Sequence, residues 1–142
     1  MSAPILRRAL QGILFLLGAV ALVAGLYTVA TGSAGMPGNS EATANVESEL
    51  RFYSVFWSAF GVFALIAARD PERWRKLIHL LAAFLFLGGV ARGFGWIATS
   101  RPDTQFLVLM GLELALPLLM VGLSARLRMR HTAERAVSEA PR

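Results

Sequence analysis

Two ionisable residues, Arg92 and Glu113, lie inside long apolar stretches of this sequence. A charge held in hydrocarbon costs about 2.5–3.5 kcal/mol on insertion scales, so such residues are rare and tend to carry function. An arginine and a glutamate offset much of that cost by pairing. A guanidinium or carboxylate in a dry site can also hold a polar ligand or relay a proton. A second polar group opens another apolar stretch: Glu47, Glu49, Arg51 and Tyr53, followed by Trp57. Glu49, Tyr53 and Trp57 are spaced at i, i+4 and i+8 and share one helical face. A carboxylate and two rings on one face fit the wall of a pocket, and they also fit an interfacial aromatic belt. The choice stays open for Tyr53 and Trp57, whereas Trp96 reads as belt. The candidate polar pocket is therefore Glu49, Arg51, Tyr53, Trp57, Arg92 and Glu113. Two readings of the set compete. One is an ionic network that only fixes helix register. The other is an outward-facing cavity that binds a small molecule or relays protons.

Other chemistry is largely excluded. Without cysteine there are no disulfides, thiolate metal sites or cysteine nucleophiles. His79 and His131 are the only histidines, and neither has a partner at ligand spacing, so no metal site is expected. There is no nucleophile elbow, H-E-x-x-H, Walker loop or dinucleotide fingerprint. The glycines around Arg92 lie within an apolar helix rather than after a strand, which removes a phosphate loop. His79 reads as interfacial. No cofactor is expected, and the balance favours a protein that is not an enzyme.

The elements that position these residues follow from composition. Hydrophobic residues make up 56% of the 142 and charged residues 16%, against roughly 25% charged in an average soluble domain. The mean hydropathy is +0.57. Such a chain has too little polar surface to cover its core, and lipid must do it instead. Four segments reach the length of about 20 residues that a span needs: about 10–30, 50–68, 77–98 and 105–123. The expected fold is an all-α, four-helix transmembrane bundle over residues 1–125, with a basic tail over 126–142 that frays beyond the membrane. The first segment is longer than the roughly 7–15 apolar residues of a signal peptide, so it is read as a retained helix.

The connections carry loop chemistry. Residues 31–45 are small and polar, with three glycines and a proline. Asn45 is expected to cap the second helix, with Glu47 and Glu49 in its first turn. Asp70-Pro71 is expected to cap a third helix that begins near Pro71 with a short basic stretch. Ser100, Arg101, Pro102 and Asp103 form the last turn.

Orientation follows from the basic residues. Arg7 and Arg8, then Arg69, Arg73, Arg75 and Lys76, then Arg126, Arg128, Arg130, Arg135 and Arg142 fall on one side, eleven of 14 in all. The first loop has none and the third has only Arg101. Both termini are therefore expected in the cytoplasm, and the positive charge is read as a topology signal, not as a nucleic-acid surface. Arg92 and Glu113 then sit at similar depths, roughly 9–12 Å below the outer surface, on consecutive antiparallel helices. They are expected to face each other, with Arg51 or Glu49 nearby. Gly18, Ala21 and Gly25, then Gly61, then Gly88, Gly89, Gly93 and Gly95 offer close helix packing. They serve the bundle itself or a homo-oligomer. Pro117 frees the carbonyl of Glu113 from its helical bond.

Several stretches together are similar to a known family. They are E-L-R-F-Y at Glu49 to Tyr53, A-A-R-D at Ala67 to Asp70 and F-L-G-G-x-x-R ending at Arg92. To these are added R-P at Arg101 and Pro102, and E-L-x-x-P from Glu113 to Pro117. The chain resembles the bacterial membrane family called domain of unknown function 4345 over about three of the four helices. The resemblance implies a four-helix membrane fold and assigns no activity. The leading expectation is a multi-pass protein of the bacterial cytoplasmic (inner) membrane. Its outward-facing polar pocket binds a small molecule or supports a membrane complex. The alternatives are an accessory subunit whose ion pairs only stabilise the bundle, and a membrane enzyme or proton-coupled carrier using Glu113. The lipid bilayer is a partner in every case, and a membrane-protein partner or second copy in some.

Overall fold

A gradient of side-chain size along the first helix, α1 (Ala3–Thr31), organises the molecule. Its buried stripe is Leu6, Leu10, Leu14, Gly18, Ala21 and Gly25, recurring every three or four residues as a helix face must. The first half of the stripe is leucine and the second half is glycine and alanine. A computed structural model describes residues 3–36, 42–99 and 101–138, with side chains as far as Arg130. Parts of the first and third loops and the end of the tail lie outside the described residues, as do the side chains of His131 and Arg135. Three further helices follow: α2 (Ala44–Arg69), α3 (Arg75–Ala98) and α4 (Thr104–Ser138). Among the described residues there is no strand. The four-helix, all-α expectation holds, and each helix is long and apolar enough to cross a membrane.

The leucine half of α1 fills a core shared by all four helices. Leu6, Leu10 and Leu14 pack with Ala67 and Ala68 of α2, Ile78 and Ala82 of α3, and Met120, Leu123 and Leu127 of α4. Both ends of the described chain and the α2–α3 turn thus meet at one end of the bundle, which also carries most of the basic residues. A second cluster lies nearer the middle, where Ala21, Phe60, Ala64, Leu81 and Leu85 meet. The helix backbones approach most closely between sequence neighbours and between α1 and α4, and across the diagonals only side chains bridge. The outward surface is apolar: Phe15, Leu16, Val23, Phe84, Leu87, Phe94, Ile97 and Leu118 are all exposed. Only 22–33% of the residues in the apolar windows are buried inside the bundle. The remainder needs lipid, because exposed apolar surface on this scale is unfavourable in water.

The small half of α1 does different work. A Cβ on Gly18 would lie 2.9 Å from the carbonyl oxygen of Gly61, and one on Gly61 would lie 2.7 Å from that of Gly18. A Cβ on Gly25 would run into Ser58. The backbones of α1 and α2 therefore touch, as small residues permit where no hydrophobic effect drives helices together. The glycines of α3 divide. Gly89 faces α4, where its Cβ would meet Leu114 and Glu113 at 3.0–3.1 Å. Gly93 is loosely packed, with Met110 Sδ at 4.0 Å, and Gly88 and Gly95 face open space.

Three local expectations need correction. The N-cap of α2 is Thr43, not Asn45: its side chain accepts from the Val46 amide at 3.4 Å, and Asn45 lies inside the helix. Asp70 does receive the Arg73 amide, at 3.4 Å, but residues 71–74 form a turn and not the start of a helix. The third helix begins at Arg75, after Asp70 has closed α2 at φ −146° and ψ 84°. The fourth helix runs on to Ser138 instead of fraying at Arg126. Residues 125–138 contain neither glycine nor proline and are rich in alanine and arginine, so nothing in them stops a helix. Leu127, assigned to the tail, belongs to the core.

Candidate functional site

The buried stripe of α4 runs backwards from Leu127 through Ser124, Leu123, Met120 and Pro117 and ends on Glu113. That of α3 runs from Ile78 through Leu81, Ala82 and Leu85 to Gly89. The two stripes converge where Gly89 has no side chain, so Glu113 comes close to α3. One turn further on, Arg92 Nε donates to Glu113 Oε2 at 2.8 Å. The expected pair is present, but its members differ in environment. The Glu113 side chain is 11% exposed and that of Arg92 is 41% exposed. The guanidinium lies 5.7 Å from the centre of the Phe106 ring, within reach of a cation–π contact. Among the described residues, its two terminal nitrogens donate to nothing.

Above the pair is a recess of about 260 Å³ between the far ends of α3 and α4. Arg92, Trp96 and Thr99 line it from α3 and its end, and Phe106 and Met110 line it from α4. Gly95 borders the recess, and its missing side chain leaves that wall open. No residue from Val90 to Ala98 or from Thr104 to Leu112 is buried, so this part of the hairpin opens onto its surroundings.

The second charged group is built differently. Arg51 does not join Arg92 and Glu113; its partner is Glu47. Arg51 Nε and Nη2 both donate to Glu47 Oε1, at 3.0 and 2.7 Å. Nη1 donates to the carbonyls of Val29, at 2.5 Å, and Ala30, at 3.2 Å. These are carbonyls of the last turn of α1, which otherwise lack helical partners. Glu47 Oε2 accepts the Ser33 amide at 2.9 Å, and Ser33 belongs to the 3-10 turn Gly32–Gly35 that leaves α1. Gly32 starts that turn at φ +60°, a conformation that favours glycine. The whole group ties the far end of α1 to the start of α2.

The remaining candidates do not converge on either pair. Glu49 is exposed, on an open recess beside Asn45, Val46 and Leu50. Tyr53 is 63% exposed and meets Phe52 edge-on at 5.5 Å. Trp57 is half-buried and stacks on Phe60 at 5.1 Å. Of the six candidates, Arg92 and Glu113 are joined by an ion pair, and the other four lie on α2. Missing from the set were Glu47, Trp96, Thr99, Phe106 and Met110. Their signals were present as spacing. Glu47 and Arg51 are i, i+4; Arg92, Trp96 and Thr99 are i, i+4, i+7; and so are Phe106, Met110 and Glu113. Among the described residues, no three histidine, aspartate or glutamate side chains gather as a metal site would require.

Neither a curated protein nor a solved structure matches the chain. A family model does match, over residues 9–124, and this range contains both ion pairs and the far-end recess. With the match extending into all four helices, the chain belongs to the family described as domain of unknown function (DUF4345).

Proposed function

We propose that this membrane protein binds a small molecule in the recess between the far ends of α3 and α4. The observation that carries the reading is the half-committed guanidinium. Arg92 is held through Nε alone, and it lines a recess walled by Trp96, Phe106 and Met110. A ligand with a carboxylate, phosphate or carbonyl would take the remaining donors. Its apolar or planar body would lie against the rings. At about 260 Å³ the recess is smaller than the roughly 300–1,000 Å³ of drug-sized pockets, so the ligand is small. Glu113 holds the arginine in place and lowers the cost of keeping a charge at this depth.

Basic-residue placement supports an outward opening for the recess, with both termini in the cytoplasm. The family resemblance supports the bacterial inner membrane. Reporter fusions in the 70–76 turn should then read cytoplasmic, and an external reading would reverse the recess. The binding test is native mass spectrometry from mild detergent. Wild-type protein should retain a small-molecule adduct that Arg92→Gln and Trp96→Ala lose. Identical spectra for all three proteins would refute the reading.

An accessory role has one observation in its favour. Gly88 and Gly95 are seven residues apart, lie on one face of α3 and meet nothing within 4 Å. A helix of a partner protein or a second copy could pack closely there. Gly88→Leu with Gly95→Leu should abolish co-purification in that case and leave small-molecule retention intact. The third reading, an enzyme or proton-coupled carrier using Glu113, has less support, because that carboxylate is enclosed and engaged by Arg92.

A further inference from the structure

A second recess lies at the opposite end of the bundle from Arg92 and Glu113. It has a volume of about 740 Å³ and is bounded by the turn 71–74, the start of α3 and the inner face of α4. Its apolar side is well built: Pro71 is fully buried and Leu127 is 3% exposed, and Ser124 beside them is also 3% exposed. Its charge is strongly one-sided. Among the described residues, Arg73, Arg75, Lys76 and Arg128 line it, with Glu72 the one carboxylate. Counted by charge among the described lining residues, the four cations exceed the one carboxylate by three. Of these, Arg73 lies over the Trp74 ring at 5.6 Å. Arg75 and Lys76 make no ion pair with another described residue.

Position gives this charge a meaning. Arg75 is the first residue of an apolar helix long enough to span a membrane. The cations therefore stand where hydrocarbon gives way to headgroups. Trp74, 37% exposed, stands at the same level, the depth at which tryptophan is enriched. The first amides of α3 also end here and add partial positive charge. A phosphate group answers each of these features, and basic recesses at this level of a membrane protein suit phospholipid headgroups.

We propose that the recess binds the phosphate headgroup of an anionic phospholipid, with Arg75 and Lys76 as its principal contacts. The acyl chains would run along the exposed apolar surface of α3, where Leu80, Phe84 and Leu87 face outward. Free inorganic phosphate offers the same headgroup chemistry without the chains, which allows the two to be separated.

The experiment uses the full-length protein in nanodiscs of phosphatidylcholine containing a minor share of phosphatidylglycerol. Release into native mass spectrometry counts the lipids retained. Phosphatidylglycerol should be retained in preference to phosphatidylcholine. Arg75→Gln and Lys76→Gln should each weaken that preference by about fivefold, the effect of one interfacial cation. Arg101→Gln, at the other end, should leave it unchanged. Equal retention of both lipids, or a double variant that retains phosphatidylglycerol as well as wild type, would overturn the proposal. So would full displacement of the lipid by millimolar inorganic phosphate, which would make the free ion the ligand. Melting temperature in pure phosphatidylcholine serves as the folding control. It should not differ between wild type and the double variant, because neither side chain has a described partner to lose.

Discussion

The α1–α2 hairpin and the α3–α4 hairpin each hold an arginine–glutamate pair toward the same end of the bundle, and they use it in opposite ways. Arg51 spends every guanidinium nitrogen: two on Glu47 and one on the carbonyls that end α1. Arg92 spends one, on Glu113. Along the α1–α2 hairpin the helix backbones are in contact through Gly18, Gly25 and Gly61. Around Arg92 they separate into a recess. An ion pair by itself therefore says little about role. What separates a fastening from a binding group is how many donors remain after the protein has taken its share.

Breaking the Arg92–Glu113 pair should give the largest effect, and the two single changes should be unequal. Arg92→Leu strands an enclosed carboxylate and should cost about 3 kcal/mol or more. Glu113→Leu leaves an arginine that is already 41% exposed, so its loss should be smaller. The double change should be less harmful than Arg92→Leu alone. A double-mutant cycle on thermal stability in detergent checks this, and additive losses would show that the two residues are not coupled.

Close packing should give the next largest effect. Gly61→Ala forces a methyl against the α1 backbone and should cost about 1–3 kcal/mol by overpacking. Gly88→Ala meets open space and should change stability by less than about 1 kcal/mol, in the stabilising direction that alanine's helix propensity favours. Equal losses at both positions, read from melting curves, would erase the contrast between the hairpins. The smallest change in binding is expected from Arg51→Gln. It should lower the melting temperature while leaving small-molecule retention at wild-type level. If it instead removes the adduct seen by native mass spectrometry, the saturated pair is part of the site after all.

The sequence was most legible where one physical rule acted alone. Span length and hydropathy located four helices, and the matched depth of Arg92 and Glu113 on consecutive spans brought out their pairing. Arg51 was harder, because two carboxylates lie close by. Glu49 is two residues away and points elsewhere on a helix, whereas Glu47 at i−4 shares its face. Its other partners are carbonyls at the end of α1, and no residue pattern marks where those come to rest. Trp57 was ambiguous for a related reason. Its position beside Tyr53 fits a belt, but only the packing of Phe60 shows that it turns inward. The end of α4 is hidden by a polar composition that suits a solvated tail, although helix propensity and Leu127 both favour a helix.

The short connection between α3 and α4 has a consequence for biogenesis. Only five residues separate Ala98 from Thr104. A span delivered to the bilayer alone would bring in either the arginine or the glutamate as a naked charge. Delivered together, the two strands of this hairpin carry a neutral pair already in register, joined at 2.8 Å. The tight turn thus makes the hairpin, and not the single helix, the unit that meets the least resistance on its way into hydrocarbon.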